Sequence, residues 1–349
     1  MELLTIFYLI FTFIGFYYLF LFILIFVQNR RNMLESPKPE KELELTIVVP
    51  CYNGADVIEK TIEGLVNSDY KGLKQIIVVD HQSKDNSWEV IKNCEKKYPL
   101  VKALQKPENL TGLSAESKNY GSKFVKTELI GFTDDDSEPM PDAISNMIGF
   151  FNDEKVGAVT SRVLVRNRKK FLARLQSIEY KLIAFTRKLF GFVESIYVTN
   201  GPLSIYRKKA FDEAKGFDEK NLTEDIEITW NLIKNNWKVH MSLTSITYTV
   251  VPESVRAWIR QRLRWNVGGI QTLVKYRKTI FQKGMLGLFV IPYFVTAWIL
   301  AIFGLGLFIY RFSRFLIVKF LAASYSVEAQ TAILRMSDVS ISGTILLFF

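Results

Sequence analysis

The apolar run Ile130-Gly131-Phe132-Thr133 ends abruptly in three carboxylates, Asp134-Asp135-Asp136. β-Formers followed by acids read as a buried strand whose carboxyl end delivers charge to a crevice, where open α/β sheets bind ligands. Adjacent acids repel one another unless something neutralises them. A hard divalent cation would do so economically, because Mg²⁺ takes one or two protein carboxylates and completes its shell with water and phosphate oxygens. Taken alone, the triplet reads equally well as a solvated acidic turn.

Further candidates share this chemistry. Pro50-Cys51-Tyr52-Asn53 and Asp80 close two other strands. There an aromatic ring and an amide could stack on and hydrogen-bond a base, and a carboxylate could accept an imino N–H. Lys118-Asn119-Tyr120-Gly121 could add a cation and an amide near phosphates, although each of these is also an ordinary turn or solvated residue. Asp225 follows Thr223-Glu224 at the start of the helical run Ile226 to Ile233, with Thr223 as N-cap. Acids in a first helical turn also suit the helix dipole without any catalytic role. Gln261-Arg262-Leu263-Arg264-Trp265 lies in Ser254 to Gln271, which reads as an amphipathic helix whose arginines meet lipid phosphates at a membrane face.

The elements needed to position these residues are legible in the pattern. Leu45 to Val49, Gln75 to Val79, Val101 to Gln105 and Leu129 to Thr133 read as strands. Asp56 to Asn67, Ser87 to Lys97, Ser114 to Phe124 and Asp142 to Phe151 carry helical spacing. Alternation of this kind predicts an α/β fold with a mostly parallel sheet covered on both faces. The glycine fingerprints GxGxxG and GxxxxGK[ST] are missing, so metal and carboxylates are the available substitute for holding phosphate.

Composition adds a membrane. Hydrophobic residues at 49% and aromatics at 14% of 349 residues exceed what a soluble enzyme of this size usually needs. Leu3 to Val27 is long enough to cross a bilayer, and Arg30 and Arg31 directly after it leave the next domain in the cytoplasm by the positive-inside rule. The expected organisation is a transmembrane helix over 1–28, a proline-broken linker over 29–42, the catalytic domain over 43–253 and amphipathic interfacial helices over 254–284. A second transmembrane helix covers 285–310, and 311–349 is either interfacial or a partial membrane segment. Within 311–349, Phe312 to Ala323 reads as a short interfacial helix or re-entrant piece, and Ile341 to Phe349 as the first turns of another span. Arg162, Arg166, Arg168, Lys169, Lys170 and Arg174 precede an apolar-periodic stretch, Phe171 to Phe190, which reads as another interfacial helix. The net charge of +10 suits an anionic membrane face and an anionic substrate, while no nucleic-acid motif accompanies it. Cys51 and Cys94, without metal spacing, indicate neither zinc nor a disulfide framework.

In order, Val48-Val49-Pro50-Cys51-Tyr52-Asn53, Val78-Val79-Asp80, Asp134-Asp135-Asp136, Thr223-Glu224-Asp225 and Gln261-Arg262-Leu263-Arg264-Trp265 resemble the signature of family 2 glycosyltransferases. The similarity spans Leu43 to about Tyr276. It is closest to the membrane-embedded branch containing hyaluronan, chitin and cellulose synthases and ceramide glucosyltransferase, whose Gln-x-x-Arg-Trp motif is matched residue for residue. The resemblance implies a GT-A fold flanked by transmembrane helices and an inverting transfer from a nucleotide-diphosphate sugar such as a UDP-sugar.

The resemblance also assigns roles. Asp136 most directly holds Mg²⁺ or Mn²⁺ against the diphosphate, Asp134 touches nucleotide and metal, and Asp135 stands between them as a nucleotide-sugar residue or a spectator. Pro50, Tyr52, Asn53, Asp80 and Lys118 serve the donor. Asp225 is the general base, with Glu224 beside it. Gly201, in Thr199 to Arg207, lines the acceptor cleft; Arg264 contacts the diphosphate, Gln261 supports the site, and Trp265 forms a platform for the acceptor sugar. His81 stands where many relatives carry a second acid, which is a departure; His81 and His240 read as structural. The implied acceptor is a growing polysaccharide; a single transfer to a lipid acceptor is the alternative, and a non-catalytic nucleotide-sugar-binding scaffold the second alternative.

Overall fold

The computed structural model describes residues 3–328 apart from 109 and 283, so the expected partial span at 341–349 lies outside the described residues. The chain divides into two compact units, Met1–Pro292 and Tyr293–Phe349. In the first, the elements run α1 (Leu3–Asn29), β1 (Leu45–Cys51), α2 (Ile58–Val66), β2 (Leu73–Asp80), α3 (Ser87–Lys97), β3 (Val101–Gln105), α4 (Ser114–Ser122) and β4 (Leu129–Phe132). They continue with β5 (Glu138–Pro139), α5 (Ser145–Ile148), β6 (Val156–Val165), α6 (Phe171–Phe192), β7 (Ser204–Arg207), α7 (Lys208–Glu213), α8 (Glu224–Lys234), β8 (Lys238–Thr249) and α9 (Val255–Tyr276). A last helix, α10 (Ile291–Glu328), supplies the described part of the second unit.

Among the described residues one sheet runs β3-β2-β1-β4-β7-β6-β8-β5. Its first half is parallel: β1 pairs with both β2 and β4, and β2 with β3. Every residue of β1 is buried, which is why Leu45-Thr46-Ile47-Val48-Val49 reads as an unbroken apolar run and not as an alternation. Pro50 lies beyond the last β1–β4 pair, Val48 with Phe132, so its missing N–H opens no gap in that ladder. The second half departs from the expected parallel order, because β7 runs antiparallel to both β4 and β6, although β6 and β8 are parallel. This reversal brings the Thr199 to Pro202 loop, which enters β7, to the same edge as the carboxyl end of β4.

Two apolar clusters cover the sheet. Ile58, Ile62 and Leu65 of α2, Ile91 of α3 and Met147 and Ile148 of α5 pack on one face. On the other, Phe132, Tyr206, Phe211 and Phe217 form an aromatic knot with ring centroids 4.8–6.0 Å apart. α1 leans on α6, Phe22 meeting Phe190 at 5.4 Å and Phe26 meeting Phe185 at 5.6 Å.

Three expectations change. The helix expected over Asp142 to Phe151 is only Ser145–Ile148 followed by a 3-10 turn, Gly149–Asn152. The proline linker presses on it: a Cβ on Gly149 would lie 1.7 Å from the Pro37 carbonyl oxygen. Phe312 to Ala323 is no separate interfacial piece, because it continues α10 without a break. Thr223 does occupy the N-cap position of α8, but its hydroxyl donates to Asn221 Oδ1 and does not cap the helix. Two helical stretches, Ile6–Asn29 and Leu286–Tyr325, are long and apolar enough to cross a bilayer.

Candidate active site

A cavity of about 570 Å³ opens at the carboxyl ends of β1 and β4. Its walls bring together Pro50, Tyr52, Lys118, Asp134, Asp135, Asp136, Gly201, Glu224, Asp225, Gln261, Arg264 and Trp265. Residues up to 215 apart in sequence therefore meet in one place, and the elements that carry them explain how.

β4 ends at Phe132 and delivers the acids. Asp135 Oδ2 accepts the Tyr52 N–H at 3.3 Å, tying the acids to the loop after β1. Asp136 Oδ1 accepts from the hydroxyls of Thr249 at 3.3 Å and Ser137 at 3.4 Å. Asp134 lies against Gly201, where a Cβ would crowd its carboxylate and force it to shift. Burial, then the charge of Asp134, pushes Asp135 up to about 6; burial, Asp134 and Asp135 push Asp136 up to about 7. Two carboxyls this reluctant to ionise mark a place that lacks positive charge.

Among the described residues no group of three or more His, Cys, Asp or Glu side chains is arranged to hold a metal ion. That does not disqualify the acids, because a magnesium-type ion needs only one or two protein carboxylates when phosphate supplies the rest of its shell. Asp134 and Asp136, crowded beside an open cavity, fit such an ion.

Asp225 sits in the first turn of α8. Its Oδ1 accepts the Ile226 N–H at 2.9 Å. Burial, then the neighbouring Glu224, pushes it up to about 6, against the opposing pull of Lys118. Its neighbour Glu224 goes the other way. Burial raises it, but the Lys118 ammonium at 2.9 Å and the Ser114 hydroxyl at 2.7 Å outweigh that and hold it ionised. Adjacent carboxyls with opposite displacements are how a site separates a structural charge from a titrating base.

α9 closes the cavity. Ser254 caps it, its Oγ accepting the Ala257 N–H at 3.3 Å. Gly268 lets it dock on the entry to α8, since a Cβ there would meet Thr223 Oγ1 at 2.2 Å. Arg264 is exposed on the wall. Gln261 Oε1 is buried without a hydrogen-bond partner among the described residues. Arg262, between the motif residues, stacks 4.2 Å from the Trp265 ring and pairs with Glu179 at 2.8 Å.

Some expected donor residues are engaged by other groups of the protein. Asp80 is fully buried, accepting from Gln105 Nε2 at 3.0 Å and the Ser83 N–H at 3.3 Å, and does not reach the cavity wall. Asn53 spends its side-chain oxygen on the Lys84 N–H at 2.8 Å, pinning the loop after β2. Lys118 is 2% exposed and committed to Glu224 and to Asp134 at 3.4 Å, so it lies beneath the site and is not free to meet phosphate from solvent. His81 is on the wall, its ring 3.4 Å from Glu116 and 6.3 Å from that of Tyr52. Burial lowers its affinity for a proton despite Glu116. His240, stacked on Phe150 and pushed down to about 4 by burial, has a structural place. Sequence reasoning missed Tyr180 and Arg187 of α6 and Tyr197 after it, all on the wall. The signal was present in the spacing Tyr180, Ala184, Arg187, one face of a helix.

Known proteins are similar to this chain in sequence and in fold. Residues 42–268 match the family described as "Glycosyltransferase like family 2". The chain is 29% identical over 237 residues to a poly-beta-1,6-N-acetyl-D-glucosamine synthase of Staphylococcus aureus, the match covering 67% of this chain and 57% of that protein. It is 28% identical over 284 residues to the probable glycosyltransferase YdaM of Bacillus subtilis, covering 79% and 66%. The mannosyltransferase PcManGT from Pyrobaculum calidifontis, solved in complex with GDP-Man and Mn²⁺, superposes with a TM-score of 0.59 at 19% identity, covering 74% of this chain and 72% of that one. The family match covers well over half of the chain and the sheet is that of the GT-A architecture: this protein belongs to the family 2 glycosyltransferases.

Proposed function

We propose that this enzyme transfers a sugar from a nucleotide-diphosphate donor, in the first instance a UDP-sugar, to a growing polysaccharide, by single displacement with inversion at the anomeric carbon. The observation that carries this reading is the convergence of Asp134, Asp136, Asp225 and the Gln261 to Trp265 motif on one cavity.

Asp225 accepts the proton of the acceptor hydroxyl as its oxygen attacks, and a carboxyl displaced to about 6 is matched to that task near neutral pH. Lys118 holds Glu224 ionised and so keeps the proton on or off Asp225 alone. Arg264, with a planar fork of donors, meets the leaving diphosphate, and Trp265 offers an apolar face to the acceptor ring. Asp134 and Asp136 would hold Mg²⁺ or Mn²⁺, which when bound supplies positive charge to the leaving diphosphate. The loop after β1, with Tyr52 tied to Asp135, frames the base and phosphates.

The polysaccharide acceptor is favoured by the similarity to poly-beta-1,6-N-acetyl-D-glucosamine synthases, of which this chain spans 57% of the length. α1 and Leu286–Tyr325, with Arg30 and Arg31 after the first, support a multi-pass membrane protein whose catalytic domain faces the cytoplasm. α6 supports it too, because Phe171, Leu175, Ile178, Leu182 and Phe185 are exposed on it, alongside Arg174 and Lys181, while Gln176, Arg187 and Lys188 are buried. Such a helix has its apolar stripe turned outward, toward lipid.

Incubation of the full chain in membranes with labelled UDP-sugars and Mn²⁺ tests the reading. A ladder of polymer is the expected product. A single organic-extractable glycolipid would assign the lipid acceptor instead, and no transfer or donor hydrolysis across a broad panel would leave only a binding scaffold.

A further inference from the structure

Arg187 has no place in the roles so far assigned. It lies on α6, is 7% exposed and lines the cavity. Among the described residues its guanidinium has one hydrogen bond, from Nη1 to Asn200 Oδ1, and a face-on approach to the Tyr197 ring at 6.0 Å. Its Nε is buried with no hydrogen-bond partner, and no carboxylate stands within ion-pairing distance of it among the described residues.

A loop-holding role does not account for this. Asn200 is already fixed by Thr160, whose hydroxyl donates to its Oδ1 at 2.7 Å and accepts its N–H at 3.2 Å, and by its own Nδ2 donating to the Pro202 carbonyl at 3.0 Å. A neutral side chain could complete that network without the penalty of a buried, unpaired guanidinium. Lys118, the other buried cation of the site, shows the contrast, since it is matched by two carboxylates. A charge buried on a cavity wall without a protein counter-ion is suited to a ligand that brings the counter-ion with it.

The position selects which ligand. Tyr52 and His81, with ring centroids 6.3 Å apart, line the cavity from the loops after β1 and β2, whereas Arg187 lines it from α6, held on Asn200 with Tyr197 beside it. We propose that Arg187 is an anion-binding residue for the acceptor, so that the acceptor carries a phosphate group close to the hydroxyl it presents. Orphaned Gln261 Oε1 on the facing helix would accept a hydroxyl of the same molecule. This rests on the transferase reading above but concerns the acceptor alone.

The test reads binding without turnover, so a failed transfer reaction and a failed anion site give different results. Octyl β-glucoside and the same glycoside bearing a phosphate monoester are titrated into the full chain in detergent with UDP and Mn²⁺ already present. The phosphorylated probe should bind about tenfold tighter or more, the range of a charge-assisted hydrogen bond. In Arg187→Gln that advantage should fall below about threefold and in Arg187→Lys survive in part, with UDP affinity within about twofold of the parent in both. Equal binding of the two probes by the parent protein would overturn the proposal, as would an advantage that survives Arg187→Gln. A loss of UDP affinity in Arg187→Gln with the Lys variant intact would also overturn it, by giving the arginine to the donor diphosphate.

Discussion

Two sides of the cavity are built on different terms. Behind the loops after β1 and β2 the polar groups answer one another: Asp80 serves Ser83 and Gln105, Asn53 serves Lys84, and Glu116 accepts from Lys106 at 2.9 Å and from backbone N–H groups. On α9 and α6, Gln261 Oε1 and Arg187 Nε have no hydrogen-bond partner among the described residues, and Arg264 is exposed. These loops are thus tied into one frame, while α6 and α9 carry polar atoms suited to a ligand. In the transfer proposed above, the tied loops would lower what donor binding must supply, and selectivity for the second substrate would rest on α6 and α9.

The largest effect should come from the proposed base. Asp225→Asn is expected to cut transfer about 10²- to 10⁴-fold with nucleotide affinity nearly unchanged. Retained turnover would remove the base from Asp225. In the parent protein, kcat/KM should climb through pH about 6 and level off above it, because Asp225 is active only when deprotonated and its proton is held more tightly than that of a free aspartate. A profile flat from pH 5 to 8 would contradict this.

Lys118→Met breaks the floor of the site. It leaves Glu224 buried without its counter-ion, and truncating one partner of a buried pair costs about 3–5 kcal/mol, read as a lower Tm by thermal unfolding. An unchanged Tm would mean that the pair contributes little. Asp136→Ala should weaken only donor binding, removing the Mn²⁺-dependent part of UDP affinity, about thirtyfold. Equal loss with and without Mn²⁺ would sink the metal assignment. The smallest effect is expected on the other side: Trp265→Ala should raise the acceptor KM about threefold to tenfold while donor hydrolysis stays within about twofold. If hydrolysis fell as far, Trp265 would not be an acceptor platform.

The parallel half of the fold was legible because β1 and β4 and most of β2 are buried on both faces. Val101 to Gln105 and Ser87 to Lys97 coincide with β3 and α3, and the run from Leu129 overshoots β4 by one residue. The reversal at β7 was not, since a short strand of Ser204–Arg207 carries no sign of the direction in which it pairs. Among the expected site residues, Asp134, Asp136, Asp225 and Gly201 stand at the ends of elements and do meet at the cavity. The sequence did not show that Asp80 and Lys118 are buried, or that the exposed Asn53 spends its side-chain oxygen on Lys84. Arg187 was hidden for a related reason. It shares a helix face with Tyr180 and Ala184, but it sits in a stretch dense with basic residues, and that spacing alone does not say that the face turns inward.

α6 has a practical consequence for anyone preparing the protein. Removing α1 and α10 leaves behind a helix that wears Phe171, Leu175, Ile178, Leu182 and Phe185 on its outside, and α9 adds Ile259, Leu263, Val267 and Val274. A trimmed fragment of residues 43–280 would also uncover Phe185 and Phe190 where α1 now lies. Such a fragment should elute with micelles in size-exclusion chromatography and precipitate when detergent is withdrawn, so purification is best designed around amphiphiles from the first step.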